Sequence, residues 1–189
     1  MNDLNDKLNK FIELLLLWNK THNLSGNMTQ EKALQYANES LVGFDFAIEN
    51  IKNVKICFDI GSGAGIPGIV LAIFHADIEF YLVEPNKKKC AFLHYVALEL
   101  GLNNVKIMQT RLENLALSLS FKADLITSRA LMNAKDFIKK ANSLINPCGG
   151  FLLYKGSDVN FELDGIKAII KIKDDAKTQV KYVFIKGDI

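Results

Sequence analysis

Arginine is almost absent from this chain. Of 23 basic residues, only Arg111 and Arg129 are arginine and the other 21 are lysine. Arginine offers a planar donor fork that lysine cannot reproduce, so the two positions invite examination, although a compositional bias with two survivors gives the same count. A strong excess of either charge is also lacking: 23 basic residues face 21 acidic ones, the net charge is +2 and the isoelectric point about 8.3, which neither establishes nor forbids a nucleic-acid partner. The three cysteines (Cys57, Cys90, Cys148) are odd in number and far apart, and the three histidines (His22, His75, His94) lack ligand spacing. That excludes a disulfide framework and gives no zinc or other metal site, which points to a reducing cytoplasm. No apolar run reaches the roughly eighteen residues of a membrane span. Acidic and amide residues precede the apolar run of MNDLNDKLNKFIELLLLWNK and no small-residue cleavage site follows it, so this segment does not read as a signal peptide.

What is present is an ordinary globular composition, 49% hydrophobic and 23% charged over 189 residues, suited to one domain over 1–189. Residues 1–50 read as a helical N-terminal extension. Leu4, Leu8, Phe11, Ile12, Leu15 and Trp18 recur at helical spacing, THNLSGN reads as a turn, and a second helix is expected over about 29–49. From residue 51 the pattern changes. VKICFDI, IEFYLVE, NVKIMQT, ADLITS and GGFLLYKG read as strands separated by helical segments, and the helix NKKKCAFLHYVALELG should stop at Gly101. AKDFIKKANSLI reads as a helix broken at Asn146-Pro147. AIIKIKD and VKYVFIKG lie too close together for a crossover and predict an antiparallel hairpin. Strands alternating with helices imply right-handed crossovers and a parallel sheet covered on both faces. With the terminal hairpin, this order is similar to the Rossmann-like, seven-stranded α/β sheet of class I S-adenosylmethionine-dependent methyltransferases.

The stretch FDIGSGAGIPGIVLAI sets four glycines and a proline into Gly61–Gly68, between two apolar runs. A strand, a glycine loop and a helix make a ligand site at the carboxyl edge of a parallel sheet. The dinucleotide fingerprint is not met. Gly61 and Gly63 match it, but Gly65 comes one residue early and Ile66 stands where the third glycine belongs. Asp59, just before the glycines, would repel a pyrophosphate and would suit a ligand carrying an ammonium group. The cradle Asp59, Gly61, Gly63, Gly65 and Ile66 therefore reads as built for an amino-acid-bearing nucleoside, with Pro67 opening the next helix.

Glu84 ends the second strand, 19 residues after Gly65, where an acid can accept both ribose hydroxyls; a solvated strand-end carboxylate is the plainer alternative. QTRLENL follows the third strand and should border an adenine. There Leu112 offers apolar contact and Glu113 an acceptor, unless Glu113 serves only a helix first turn. The fourth strand ends ITSRA, without the Asn/Asp-Pro-Pro-Tyr-like signature that grips an amino group being methylated. Arg129 at this strand end could hold a phosphate or a guanine edge, or could pair with Asp59 or Glu84.

Together these segments resemble the bacterial small-subunit (16S) ribosomal RNA guanine-N7 methyltransferases, the family of glucose-inhibited division protein B. The resemblance is carried by WNKTHNLS, FDIGSGAGIPGIVLAI, LVEPNKKKCAFL, QTRLENL, ITSRA and LLYKG, in this order over nearly the whole chain. It implies S-adenosyl-L-methionine as cofactor, with Gly61, Ile66, Leu112, Glu113 and Arg129 at its pocket and Glu84 at the ribose. It also implies a guanine of small-subunit ribosomal RNA as substrate and a positioning role for Arg129. The chain departs from the family's His-x-x-Asp-Ser run, reading Tyr36-Ala37-Asn38-Glu39-Ser40, and carries Glu84 where the family commonly has Asp.

Guanine N7 has a free lone pair and no proton, so methylation there needs alignment rather than a general base. The sequence offers no Ser-His-Asp set and no reactive cysteine arrangement, in keeping with that chemistry. Lys20, Asn23, Lys87, Lys88 and Lys155 are candidate RNA contacts, with Lys89, Lys135, Lys139 and Lys140 behind them. Lysines at a helix start oppose the dipole, which phosphate contact would explain; a solvated charge run and turn chemistry for Asn23 are the alternatives. The rival readings are a methyltransferase of a small metabolite or a protein, a nicotinamide-dependent oxidoreductase, and a binding module without catalysis. No membrane contact and no obligate protein partner are read from the sequence.

Overall fold

The structure is a computed structural model that describes residues 2–129, 131–156, 159–166 and 168–186. Ala130 and Gly187, the ends of two segments quoted above, lie outside the described residues. Two helices lead, α1 (Asn2–His22) and α2 (Gln30–Ile48). Then come β1 (Ile56–Ile60), α3 (Gly68–Phe74), β2 (Glu79–Val83), α4 (Lys87–Glu99), β3 (Val105–Met108), α5 (Leu112–Ser118), β4 (Ala123–Arg129) and α6 (Ala134–Ala141). After a 3-10 turn the chain finishes with β5 (Ile145–Lys155), α7 (Asn160–Leu163), β6 (Ile169–Asp174) and β7 (Lys181–Lys186). The strands form one seven-stranded sheet in the order β3-β2-β1-β4-β5-β7-β6. β1 to β5 are parallel, and β7 runs antiparallel between β5 and β6.

Strand alternation sorts the side chains into two layers. Cys57, Leu125, Leu152, Tyr154, Tyr182 and Phe184 face a core built with α1 to α4. Phe58, Ile60, Ile126, Phe151, Leu153 and Val183 face a second core under α5 and α6. The near-continuous apolar runs of β1, β2 and β5 are what a sheet buried on both sides requires. Local chemistry agrees at the ends of α4. Asn86 caps it, accepting from Lys88 N at 2.9 Å and Lys89 N at 3.2 Å. Gly101 takes φ +61° beyond its last turn, and Leu102 N closes back on Ala97 O.

β5 is longer than the sequence suggests. It begins at Ile145 and passes through Asn146-Pro147-Cys148, where a helix break was expected. Its register with β4 jumps from Ala123↔Ile145 to Leu125↔Gly150, so a bulge absorbs the extra residues and the proline needs no ladder donor there. Gly149 and Gly150 are close-approach residues, since a Cβ would stand 2.7 Å from Asp124 O and 2.6 Å from Phe184 respectively. The topology reverses between β1 and β4, and at that seam Ser128 Oγ donates to Ile60 O at 2.9 Å. Ligand crevices form outside the carboxyl ends of strands at such a switch point.

Candidate functional site

The glycine loop leaves β1 and crosses the end of β2. Gly61 N and Ser62 N both donate to Val83 O, at 2.8 and 3.2 Å. Gly61, Gly63 and Gly65 all have positive φ (+78°, +57° and +90°), which explains why side chains are excluded from the turn. Gly68, at the first position of α3, is needed for closeness instead: a Cβ would lie 2.3 Å from Leu82 and 2.5 Å from Asp59 Oδ2. Pro67 precedes the helix as its cap residue.

Asp59 is completely buried under this loop. Its Oδ2 accepts from Gly68 N at 3.1 Å, while Oδ1 has no hydrogen-bond partner among the described residues. Burial pushes its carboxyl up to about 7; the nearby Ser62 hydroxyl, which donates to Asp59 O at 2.8 Å, and the Gly68 N–H oppose the rise, and the Glu84 charge adds to it. A buried carboxyl oxygen without a partner is costly, and a ligand ammonium would answer it. Glu84 is also nearly buried. Its Oε2 accepts from Gly63 N and its Oε1 from Asn86 N, each at 2.9 Å. The carboxylate is thereby braced against both the loop and the start of α4, and each oxygen retains acceptor capacity for a hydroxyl.

Beside the loop lies a cavity of about 330 Å³, lined by Gly61, Val83, Arg111, Leu112, Glu113 and Leu131 among others. Leu112 is a buried wall of it. Glu113 borders the cavity while its carboxylate takes Lys140 Nζ at 2.8 Å, which holds its pKa below the usual carboxylate range. Gly61, Leu112 and Glu113 thus meet at one pocket, with Glu84 and Asp59 tied to the loop that forms its edge. Ile66 is half-buried and packs toward the α1–α4 core. Pro85, Thr110, Leu131 and Met132 also line the pocket, and the sequence reading did not single them out. Their only signal was their position just beyond strand ends.

Arg129 ends β4 on the same face of the sheet as Asp59. Its partner is neither Asp59 nor Glu84. Its guanidinium ion-pairs with Glu39 of α2, a fully buried carboxylate, and lies 4.1 Å from the centre of the Tyr36 ring. The candidate RNA residues separate into three environments. Lys87 and Lys88 are exposed and Lys89 half-exposed in a first turn of α4 that holds no acid, at the site edge. Lys20 and Asn23 are exposed at the end of α1, where Asn23 adopts φ +48° in a turn held by Asn19 through Gly26 O and Ser25 N. Trp18 packs against Phe92, Tyr95 and His22. Lys155 is occupied: its Nζ bonds Met132 O and Glu162 Oε2, both at 2.6 Å, and its side chain is 11% exposed.

Burial raises the thiols of Cys57 and Cys90. No group of three or more His, Cys, Asp or Glu among the described residues could hold a metal ion. Among the described residues, no helix is long and apolar enough to cross a membrane.

Known proteins resemble this chain in sequence and in fold. The family described as GidB, rRNA small subunit methyltransferase G, matches residues 4–186. A relative from Helicobacter bizzozeronii named Ribosomal RNA small subunit methyltransferase G is 45% identical over 157 residues, covering 83% of this chain and 85% of that protein. One of the same name from Campylobacter hominis is 38% identical over 184 residues, covering 97% of this chain and 93% of that protein. Among solved structures, a putative rRNA-methylase from Clostridium thermocellum superposes with TM-score 0.60 at 16% identity, over 78% of this chain and 94% of that one. A mutant of MtNAS in complex with S-adenosylmethionine superposes with TM-score 0.65 at 14% identity, over 99% of this chain and 72% of that one. The structural neighbours share the class I methyltransferase fold, and the sequence relatives go further: this chain belongs to the GidB family of rRNA small subunit methyltransferases G.

Proposed function

We propose that this chain transfers a methyl group from S-adenosylmethionine to N7 of a guanine in small-subunit ribosomal RNA. The observation that carries the reading is the pocket walled by Gly61 and Leu112, whose glycine loop is braced by Glu84 through Gly63 N and covers the unpartnered Oδ1 of buried Asp59. A pyrophosphate would meet two carboxylates at this loop; an ammonium and a ribose find the acceptors they need. The relatives' names supply the substrate class, ribosomal RNA of the small subunit.

When bound, the cofactor supplies an electrophilic methyl group on a sulfonium. The chain's own residues do the rest. Asp59 answers the amino-acid end, Glu84 the ribose, and Leu112 with Gly61 encloses the base. With the cofactor in place, the guanine N7 lone pair would take the methyl group and the electron pair of the broken C–S bond would remain on sulfur. No proton leaves N7, so no general base is required. What remains is alignment, a contribution worth on the order of 7–11 kcal/mol when fully realised. Arg129 sits on the same sheet face at the strand end and serves to position substrate against the methyl. Lys87, Lys88 and Lys20, with Asn23, form the RNA-facing surface. The whole chain reads as one methyltransferase domain acting where ribosomes are assembled, in the cytoplasm.

The test is methyl transfer from radiolabelled S-adenosylmethionine to small ribosomal subunits lacking this modification, beside a fluorescence titration with NADH. Label entering the ribosomal RNA, with no NADH binding, is the expected result. Label entering only a metabolite or protein, or tight NADH binding, would overturn the reading.

A further inference from the structure

Helix α2 carries a polar stripe where a core-facing stripe should be apolar. Tyr36, Glu39, Ser40 and Gly43 follow at helical spacing on the side that meets the sheet. Gly43 lets the helix come close: a Cβ there would stand 2.6 Å from the Tyr154 ring and 2.8 Å from that of Tyr182. Tyr154 OH, on β5, then donates to Ser40 O at 2.8 Å. At the residue just before Ser40, and at the carboxyl end of β4, sits the Glu39–Arg129 pair. Glu39 is 0% exposed, and its second oxygen accepts from Gln35 Nε2 at 2.8 Å. The guanidinium is held by three things at once: Glu39 Oε2, Tyr36 O at 3.5 Å, and the Tyr36 ring face. The side chain of Arg129 nonetheless keeps 17% of its surface exposed.

A buried ion pair is a poor way to dock a helix. Desolvating two charges offsets most of their attraction, and apolar residues of similar size usually do as well. α2 already has such residues in Ala33, Ala37, Phe44 and Ala47, all buried in the same core. The pair lies at the catalytic edge of the sheet, next to the β1–β4 seam, rather than in the middle of that core. An unrestrained arginine has several rotatable bonds; this one is fixed on both its edge and its face, with N–H groups of its fork unspent among the described residues.

We propose that Glu39, backed by Tyr36, is a positioning residue for methyl transfer: it holds the Arg129 guanidinium in the one orientation that meets the substrate. The N-terminal helix α2 is thereby part of the active site without touching the cofactor. This inference rests on the methyltransferase reading above. It gives a role to two positions whose identity departs from the family's usual run, and it requires that the pair act as a unit.

Two measurements test it together. The first is a double-mutant cycle on methyl transfer with Glu39→Gln, Arg129→Gln and the double variant, with S-adenosylmethionine affinity followed in parallel. Glu39→Gln is expected to lower kcat by about tenfold or more, since small misplacements cost that much, while cofactor Kd stays within about twofold. It should add nothing in the Arg129→Gln background. Glu39→Asp, which keeps the charge, should recover part of the rate. Additive losses, or an Asp variant no better than Gln, would overturn the proposal. The second is NMR of the chain labelled with 15N-arginine. Only two arginines exist, so Arg129 is assigned by its absence from the Arg129→Gln spectrum. Slowed guanidinium rotation in the wild type, lost in Glu39→Gln, is expected. Equal rotation in both would refute the restraint whatever the activity. A wild-type chain that methylates no RNA would refute the reaction instead, and the NMR result would still decide whether Glu39 fixes Arg129.

Discussion

Asp59 gives the sharpest prediction, because its burial sets stability against binding. Its carboxyl is raised from an ordinary 3.8 to about 7, chiefly by desolvation. The folded chain therefore holds a proton that the unfolded chain releases between those two pH values. Stability from this group is fully present below about pH 4 and is lost as pH rises toward 7. Roughly three pH units at about 1.4 kcal/mol each give a cost of about 4 kcal/mol above pH 7, an upper figure for a buried group. Asp59→Asn removes the charge and keeps an oxygen for the Gly68 N–H. At pH 8 the variant should melt several degrees above wild type, since a chain of this size shifts about 2–4 °C per kcal/mol. At pH 5 the gap should shrink to less than half of its value at pH 8. The same substitution removes the acceptor proposed for the ligand ammonium, so S-adenosylmethionine binding should weaken at least tenfold at pH 8. For the wild type, Kd should rise about tenfold per pH unit below 7 and rise again once an α-amino group loses its proton near pH 8. Scanning fluorimetry and titration calorimetry from pH 5 to 9 read both. An Asn variant that is less stable at pH 8, or that binds the cofactor as tightly as wild type, would refute the placement of Asp59.

Three further outcomes follow from the geometry. Replacing Lys87, Lys88 and Lys89 together by Ala should weaken RNA binding and flatten its salt dependence by up to three charges' worth, leaving cofactor Kd unchanged; an unaltered salt slope would return the run to a solvated helix start. Lys155→Ala should lower the melting temperature, because Met132 O and Glu162 lose their partner, and should leave the salt slope alone; a change in slope without destabilisation would make Lys155 an RNA contact after all. Gly68→Ala should cost about 1–3 kcal/mol by overpacking against Leu82 and Asp59 and should reduce cofactor affinity with it; equilibrium unfolding matching wild type would show that the loop can shift.

Much of the fold was legible because its signals are local. The βα alternation, the glycine loop and the terminal hairpin each declare themselves within a dozen residues. β5 was misjudged at its start because Asn146-Pro147 read as a helix break, with the strand opening only at Gly149; the bulge opposite Asp124 is what makes the preceding residues part of the strand. The short helix α7 between β5 and β6 has no pattern of its own to betray it. The partner of Arg129 was illegible for a different reason. Glu39 lies 90 residues away, and a polar stripe on α2 reads as a solvent face until the sheet is placed beneath it. The pocket wall at Leu131 and Met132 was likewise invisible, since those residues gain meaning only from folding back over Gly61.

Whether the methyl group goes to guanine N7 is decided by the labelled nucleoside itself. Small subunits lacking the modification would be incubated with the chain and labelled S-adenosylmethionine, and the RNA digested to nucleosides and separated. Label in 7-methylguanosine alone, mapping to a single guanine by strand cleavage specific for that base, is the predicted result. Label in any other nucleoside, or spread over many guanines, would contradict the account.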